Sequence, residues 1–294
     1  MTEVSKTRAW VLAARPKTLA AAGVPVVVGT AVAWSDGLFA PGPALAALLG
    51  AFLIQIGTNL ANDYFDHEKG ADNEERLGPT RVVQSGLLPP ESVFAAMIGT
   101  FAVAMLVGVY LVAIGGWPIV GIGAASVVSG IAYTGGPYPL GYHGLGDLFV
   151  FVFFGVVAVT GTYYVQALHW SRAAFVASVP VGLLSTAILV VNNYRDIDTD
   201  RRAGKRTLAV RLGRRLTRVQ YVLLMAGAYA TPVVQYTTGR ADAWVMLPLS
   251  TLPLAWKLTV SLTARRGEEL NETLERTAQL LALFGALYAA GFLL

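Results

Sequence analysis

The sequence contains no cysteine, which excludes disulfides, covalent haem attachment and thiolate metal sites. Charge is also scarce: 14% of the 294 residues are Asp, Glu, Lys or Arg, against roughly a quarter in a soluble domain. Such a chain is not built to face water on all sides. The histidines, His67, His143 and His169, show no metal-ligand spacing, so no imidazole metal centre is expected. Positive charge is nearly absent from one side of the membrane. With the N-terminus inside, all of the 22 basic residues except Arg172 and Arg240 fall on the inner side. The positive-inside rule then predicts a cytoplasmic N-terminus. This bias explains the excess of basic residues without a nucleic-acid partner.

Apolar sequence is abundant, at 55% of the chain. Stretches near the ~20 residues that cross a bilayer recur along its whole length. Their spacing predicts nine spans: Thr18–Trp34, Ala44–Ala61, Val93–Ile114, Pro118–Tyr133, Leu148–Ala167, Ala173–Val191, Val219–Tyr236, Ala243–Leu262 and Thr277–Leu294. Lys6, Arg8, Arg15 and Lys17 precede the first run as they would in a signal peptide. That run is full length and has no cleavage-type site after it, so an uncleaved helix is expected. Trp10, Trp34, Trp117 and Trp170 sit at span ends, where tryptophan anchors at the interface. No linker divides the chain. We expect one all-α domain over residues 1–294, multi-pass in the cell membrane, with its C-terminus outside.

The polar sequence gathers in the inner loops after the second, fourth, sixth and eighth spans. On a helix, residues three and four apart share a face. Asn59, Asn62, Asp63 and Asp66 therefore form one polar stripe at the end of the second span, and Asn192, Asp196 and Asp200 a second stripe at the end of the sixth. Their similar position suggests a duplicated helical unit with its site between the copies. If the two helices are neighbours, the carboxylates converge and need a cation. Mg²⁺ takes hard oxygen ligands, commonly one or two carboxylates plus substrate phosphates. The expected metal set is Asn62, Asp63, Asp66, Asp196 and Asp200. Lys69, Arg76, Arg81, Arg195, Lys205 and Arg206 can meet phosphate oxygens, with Asn59 and Asn192 alongside them as substrate contacts. Acids for a metal, bases for phosphate and apolar helices beside both describe a site for a lipid diphosphate. Arg214, Arg215 and Arg218 read as topology signals. Tyr133 ends the fourth span beside Thr134-Gly135-Gly136, and a core role and a functional one are equally open to it.

NDYFD (62–66) and NYRDIDTD (193–200) resemble the two Asp-rich motifs of the UbiA superfamily of intramembrane prenyltransferases. ARPKTL (14–19), RLGPTRVVQSG (76–86) and YTGGPYPLGYHGLGD (133–147) are similar to its menaquinone branch, the 1,4-dihydroxy-2-naphthoate polyprenyltransferases. The resemblance implies nine helices around a central cavity open to the cytoplasmic side. It also implies Mg²⁺, a polyprenyl diphosphate donor and an aromatic acceptor, with no obligatory protein partner. By position, Asn62 and Asp66 match the first motif's Asn and metal-site Asp, and Asp196 and Asp200 the second motif's pair. Lys205 matches a basic residue that meets the diphosphate. Gly70 stands where many members have a further Asp, and either Asp63 or Asp72 is available to replace it.

The implied reaction forms an allylic cation, which an aromatic face can hold by cation–π attraction. Tyr133 is the first candidate, with Tyr64 and Tyr194 behind it. The Gly-rich loop 134–147 is expected to cover the site and exclude water. The prenyl tail needs an apolar groove open to lipid, and loss of the acceptor's carboxylate as CO₂ would give demethylmenaquinol. Two alternatives stay open: another acceptor, such as 4-hydroxybenzoate or homogentisate, and a small-molecule transporter, which shares the helix count and the internal echo.

Overall fold

In the computed structural model, which describes residues 4–70 and 77–294, the described residues form helices and no strands. In chain order the α-helices are α1 (Lys6–Ala14), α2 (Pro16–Ser35), α3 (Pro41–Glu68), α4 (Pro90–Gly115), α5 (Trp117–Ala132) and α6 (Gly146–Val150). A π-helical stretch, Phe151–Val157, joins α6 to α7 (Ala158–Ala167). Then come α8 (Arg172–Arg195), α9 (Ile197–Arg202), α10 (Leu208–Thr237), α11 (Leu252–Ala264) and α12 (Leu270–Leu293).

Proline marks where several of these begin. It occupies the first or second position of α2, α3, α4, α5 and α11, where the N–H it lacks has no helical partner. Pro16 also explains why the basic N-terminal segment is a separate helix. Arg15, just before it, takes left-handed geometry (φ 52°, ψ 67°) and ends α1. The Asn59 side chain donates to the freed carbonyl of Ala14 at 3.0 Å and to Thr18 Oγ1 at 2.9 Å.

Seven segments of the described residues are long and apolar enough to cross a membrane: Pro16–Ser35, Pro41–Glu68, Pro90–Gly115, Gly146–Ala167, Arg172–Arg195, Ala243–Ala264 and Gly267–Leu293. The chain is thus an integral membrane protein. Two of the nine expected spans fall short. The fourth corresponds to α5, which has 16 residues, fewer than the ~20 a bilayer requires. The seventh lies in the second half of α10, whose first half carries Arg211, Arg214, Arg215 and Arg218 and breaks at Gly213 (φ 70°, ψ 172°).

The span formed by α8 is the most central, with 67% of its most apolar window buried, against 17% for α4. α4 turns Met105, Leu106 and Val109 outward. Close packing holds α8 in place: a Cβ on Gly155 would lie 2.6 Å from the Gly182 Cα. Contrary to expectation, the helices carrying the two motifs, α3 and α8, do not pack along their lengths. α3 lies on α2, α4, α5 and α7, and α8 on α10, α12, α2, α7 and the π-helical stretch. With α2 and α7 between them, the motifs approach each other at the ends of α3 and α8 and through the loops beyond.

Candidate active site

The first motif occupies the last turns of α3, which continues to Glu68 rather than ending at Ala61. Asp66 is 2% exposed. Its Oδ2 accepts from Arg81 at 2.9 Å. Its Oδ1 accepts from the Tyr142 hydroxyl at 2.5 Å and lies 3.4 Å from the Lys205 ammonium. A buried carboxylate is tolerated when it is paired and hydrogen-bonded, and here the partners come from three separate loops.

Asp63, one turn earlier, is 1% exposed and accepts the backbone N–H groups of Val82 at 3.2 Å and Val83 at 3.1 Å. It caps the turn that presents Arg81 to Asp66. Asp63→Ala is expected to leave those two N–H groups unsatisfied and destabilise the protein by about 1–3 kcal/mol. Thermal unfolding in detergent checks this, and an unchanged melting temperature would contradict it.

The second motif is not a straight stripe. α8 stops at Arg195, and Asp196 sits at a corner (φ −94°, ψ 7°) before α9 carries Asp200. Arg195, expected to meet phosphate, is instead fully buried and committed to the protein. Its Nε and Nη2 donate to the two Asp196 oxygens at 2.7 and 2.6 Å. Nη2 also reaches Asn192 Oδ1 at 2.9 Å, and Nη1 reaches Asn271 Oδ1 at 2.6 Å. Asn271 in turn donates to the Leu77 carbonyl at 2.9 Å, tying α12 to the segment after the first motif. The fork locks the orientation of Asp196.

Loop 134–147 bridges the two motifs. Lys69 donates to the carbonyls of Thr134 at 2.6 Å and Gly136 at 3.0 Å, and the Thr134 hydroxyl donates to Asn62 Oδ1 at 2.9 Å. Partial desolvation beside this loop pulls the exposed Lys69 ammonium below its usual value, opposed by Asp66 and aided by Lys205. From the other side, the Arg206 N–H donates to the Tyr142 carbonyl at 2.8 Å, while the Arg206 side chain is exposed. Lys205 lies 4.5 Å from the Tyr142 ring centroid and Lys69 5.4 Å from it. Tyr142 is thus the hub of the cover, and residue-by-residue reading passed over it. Its signal was a loop dense in Gly, Pro and Tyr at a membrane face. Tyr142→Phe removes one bond to a charged group, worth about 1.5–3 kcal/mol. A kcat loss of about 10- to 100-fold is therefore expected, and steady-state turnover at wild-type level would contradict it.

Tyr133 lies within electrostatic reach of Asp66, Asp147 and Asp200. Its ring rests on glycines: a Cβ on Gly141 would sit 2.9 Å from the ring, and one on Gly146 2.8 Å from the hydroxyl. The other two aromatic candidates are engaged elsewhere. Tyr64 packs on Phe65 and Phe94. Tyr194 is buried, with its hydroxyl accepting from Arg218 at 3.0 Å. Arg76 and Asp72 lie outside the described residues.

Among the described residues, no three acids or histidines stand together as a ready-made ion cage. The donors nonetheless suit Mg²⁺, which needs few protein carboxylates when a substrate supplies phosphate oxygens and water completes the shell. Burial pushes the Asp200 carboxyl up to about 7, with Asp196 and Asp66 adding to the rise and Lys205 and Arg195 opposing it. A carboxyl raised by burial and by neighbouring acids is one that a divalent cation would settle.

A family model described as the UbiA prenyltransferase family matches residues 22–274. The chain belongs to this family. It is 43% identical to the 1,4-dihydroxy-2-naphthoate octaprenyltransferase of Mycobacterium tuberculosis, over 97% of this chain and 96% of that protein. It is 39% identical to the enzyme of the same name from Escherichia coli, over 99% of this chain and 97% of that one. Among solved structures, a UbiA homologue from Archaeoglobus fulgidus bound to GPP and Mg²⁺ superposes with a TM-score of 0.68. At 15% identity, covering 97% of this chain and all of that one, it shares the UbiA fold.

Proposed function

We propose that this UbiA-family enzyme transfers a polyprenyl chain from its diphosphate to 1,4-dihydroxy-2-naphthoate, with Mg²⁺ bound, releasing diphosphate and CO₂ and forming demethylmenaquinol. The observation that carries the reading is the junction at Asp66. Arg81 from the first inner loop, Tyr142 from the second and Lys205 from the third meet on one buried carboxylate. A site shared by all three loops accounts for that convergence.

Asn62, Asp66, Asp196 and Asp200 are the residues to hold Mg²⁺, which when bound would neutralise charge on the departing diphosphate. Asp63 and Asn59 act instead as supports, because Asp63 holds the backbone N–H groups of Val82 and Val83 and Asn59 the end of α1, while the Arg195 guanidinium is spread over Asp196, Asn192 and Asn271. Lys205 and Arg81, beside Asp66, meet the diphosphate oxygens, with Arg206 and Lys69 at the rim. Tyr133 turns an aromatic face to the allylic cation. Loop 134–147, fastened by Lys69 and Tyr142, excludes water that would quench it. A shallow, open apolar groove of about 250 Å³ between α2, α3 and α12, walled by Leu19, Val24, Phe52 and Gly285, is the surface we assign to the prenyl tail.

In the membrane we place the N-terminus in the cytoplasm and the C-terminus outside, with α5 and α10 completing nine crossings of a single domain. The site then opens to the cytoplasm. Because the chain has no cysteine, single introduced cysteines report sidedness without background. One at Arg206 is expected to react with an impermeant maleimide only from the cytoplasmic side, and labelling from outside would reverse the topology.

The function itself is tested with purified enzyme, one labelled prenyl diphosphate, Mg²⁺ and a panel of acceptors, reading products by mass. Dihydroxynaphthoate is expected to give a prenylated product lacking its carboxylate. Product from 4-hydroxybenzoate or homogentisate alone would move the acceptor. No product from any of them would remove the assignment.

A further inference from the structure

Asp147 is a buried acid with no part in the metal and diphosphate chemistry of the two motifs. It stands in the first turn of α6, one residue beyond the glycine against which the Tyr133 hydroxyl rests. It is 8% exposed. Its Oδ1 accepts from Gln220 Nε2 of α10 at 2.8 Å, and its backbone carbonyl accepts from Thr186 of α8 at 3.5 Å. Among the described residues its Oδ2 has no hydrogen-bond partner, and neither has Gln220 Oε1 nor the Oγ of Ser185. Native proteins leave few buried polar atoms unpaired, and each one calls for an explanation. An ionisable residue inside a membrane span is a functional candidate by default. Two unmet acceptors, on Asp147 and on the Gln220 bonded to it, one residue from the glycine that meets the Tyr133 hydroxyl, fit a ligand that brings hydroxyl donors. An aromatic diol does so; the prenyl diphosphate, which has only acceptors, does not.

We propose that Asp147, oriented by Gln220, is the acceptor-side base of the reaction. This rests on the enzyme being an arene prenyltransferase. As the prenyl carbon bonds to the ring carbon bearing the carboxylate, the ring supplies the electron pair. The adjacent hydroxyl gives its proton to Asp147 Oδ2, and the O–H electron pair closes a ring carbonyl. When the carboxylate leaves as CO₂, its C–C electron pair restores the aromatic ring. The carbonyl oxygen then takes the proton back from Asp147. The diphosphate departs with the pair from its broken C–O bond, so charge and electrons balance without any oxidant or reductant.

The test uses full-length enzyme carrying Asp147→Asn or the milder Gln220→Met, with geranyl diphosphate, Mg²⁺ and dihydroxynaphthoate. For Asp147→Asn, kcat is expected to fall by about 10²- to 10⁴-fold, the usual weight of general-base catalysis. Binding of a non-reactive geranyl thiolodiphosphate should match wild type. The deficit should also shrink towards unity with a 1-hydroxy-2-naphthoate made acidic enough, by an electron-withdrawing 4-substituent, to be ionised at the assay pH. Wild-type turnover by Asp147→Asn would overturn the inference, as would an equal deficit with the pre-ionised acceptor. Loss of fold in both variants, read by thermal unfolding, would assign the cluster to structure and also overturn it. A wild-type enzyme that prenylates no arene removes the function and this inference together. An active wild type beside an equally fast Asp147→Asn removes the inference alone.

Discussion

Asp66→Asn should lower kcat by about 10³-fold, the scale seen when one preorganised electrostatic group is removed from a reaction centre. Asparagine keeps the shape and the bond to Tyr142 but removes the charge that pairs with Arg81 and Lys205. Both cations would then compete for the site where a divalent ion should sit. The variant should still insert, but it takes the counter-charge of Asp66 from the buried Arg81, so some stability is lost as well and kcat is taken per folded enzyme. Turnover is measured with saturating Mg²⁺ and a labelled prenyl diphosphate. Activity within a few-fold of wild type would show that the carboxylate takes no part in catalysis.

Arg195→Met should fail in a different way. Removing a partner from a buried ion pair costs about 3–5 kcal/mol, because the other charge is left uncompensated. Here the loss strands Asp196 and frees Asn192 and Asn271 from the guanidinium that joins them. The variant is expected to unfold well below wild type and to recover poorly from detergent, with activity lost through instability. A variant with normal melting but weak diphosphate binding would return Arg195 to the phosphate-binding role that its sequence position suggests. The contrast between the two substitutions separates a reacting residue from one that holds it.

That contrast shows what residue type and spacing can reveal. The i, i+3 and i+4 spacing of Asn59, Asn62, Asp63 and Asp66 was visible because any helix places them on one face. Their division of labour was not. Asn59 serves a helix break 45 residues earlier in the chain, and Asp63 a turn some 20 residues later. Neither partner belongs to an Asp-rich motif: they lie in ARPKTL (14–19) and RLGPTRVVQSG (76–86). Arg195 reads as a phosphate ligand because it stands among acids. Its burial depends on Asn271, which is 76 residues away at an otherwise ordinary helix start. The stripe through Asn192, Asp196 and Asp200 assumed an unbroken helix, and the corner at Asp196 bends it.

Hydropathy located most of the spans because a bilayer imposes one length and one composition on each. It is weakest at α5 and α10, where a short helix and a basic first half depart from that rule. It also carried no information on packing order, so the separation of α3 from α8 by α2 and α7 was hidden. The loops bridge that gap through side chains far apart in the sequence, Arg81, Tyr142 and Lys205 on Asp66, and spacing along one helix does not show such partners.

The catalysis we propose has Mg²⁺ shared by two motifs whose helices do not pack along their lengths. Anomalous scattering from Mn²⁺, soaked with a prenyl thiolodiphosphate into crystals of the enzyme, tests this directly. The expected result is a peak bridging Asp66 of the first motif and Asp196 or Asp200 of the second, with the diphosphate completing the shell beside Lys205. A peak held by one motif alone, or a diphosphate bound without contact to Asp66, would contradict it.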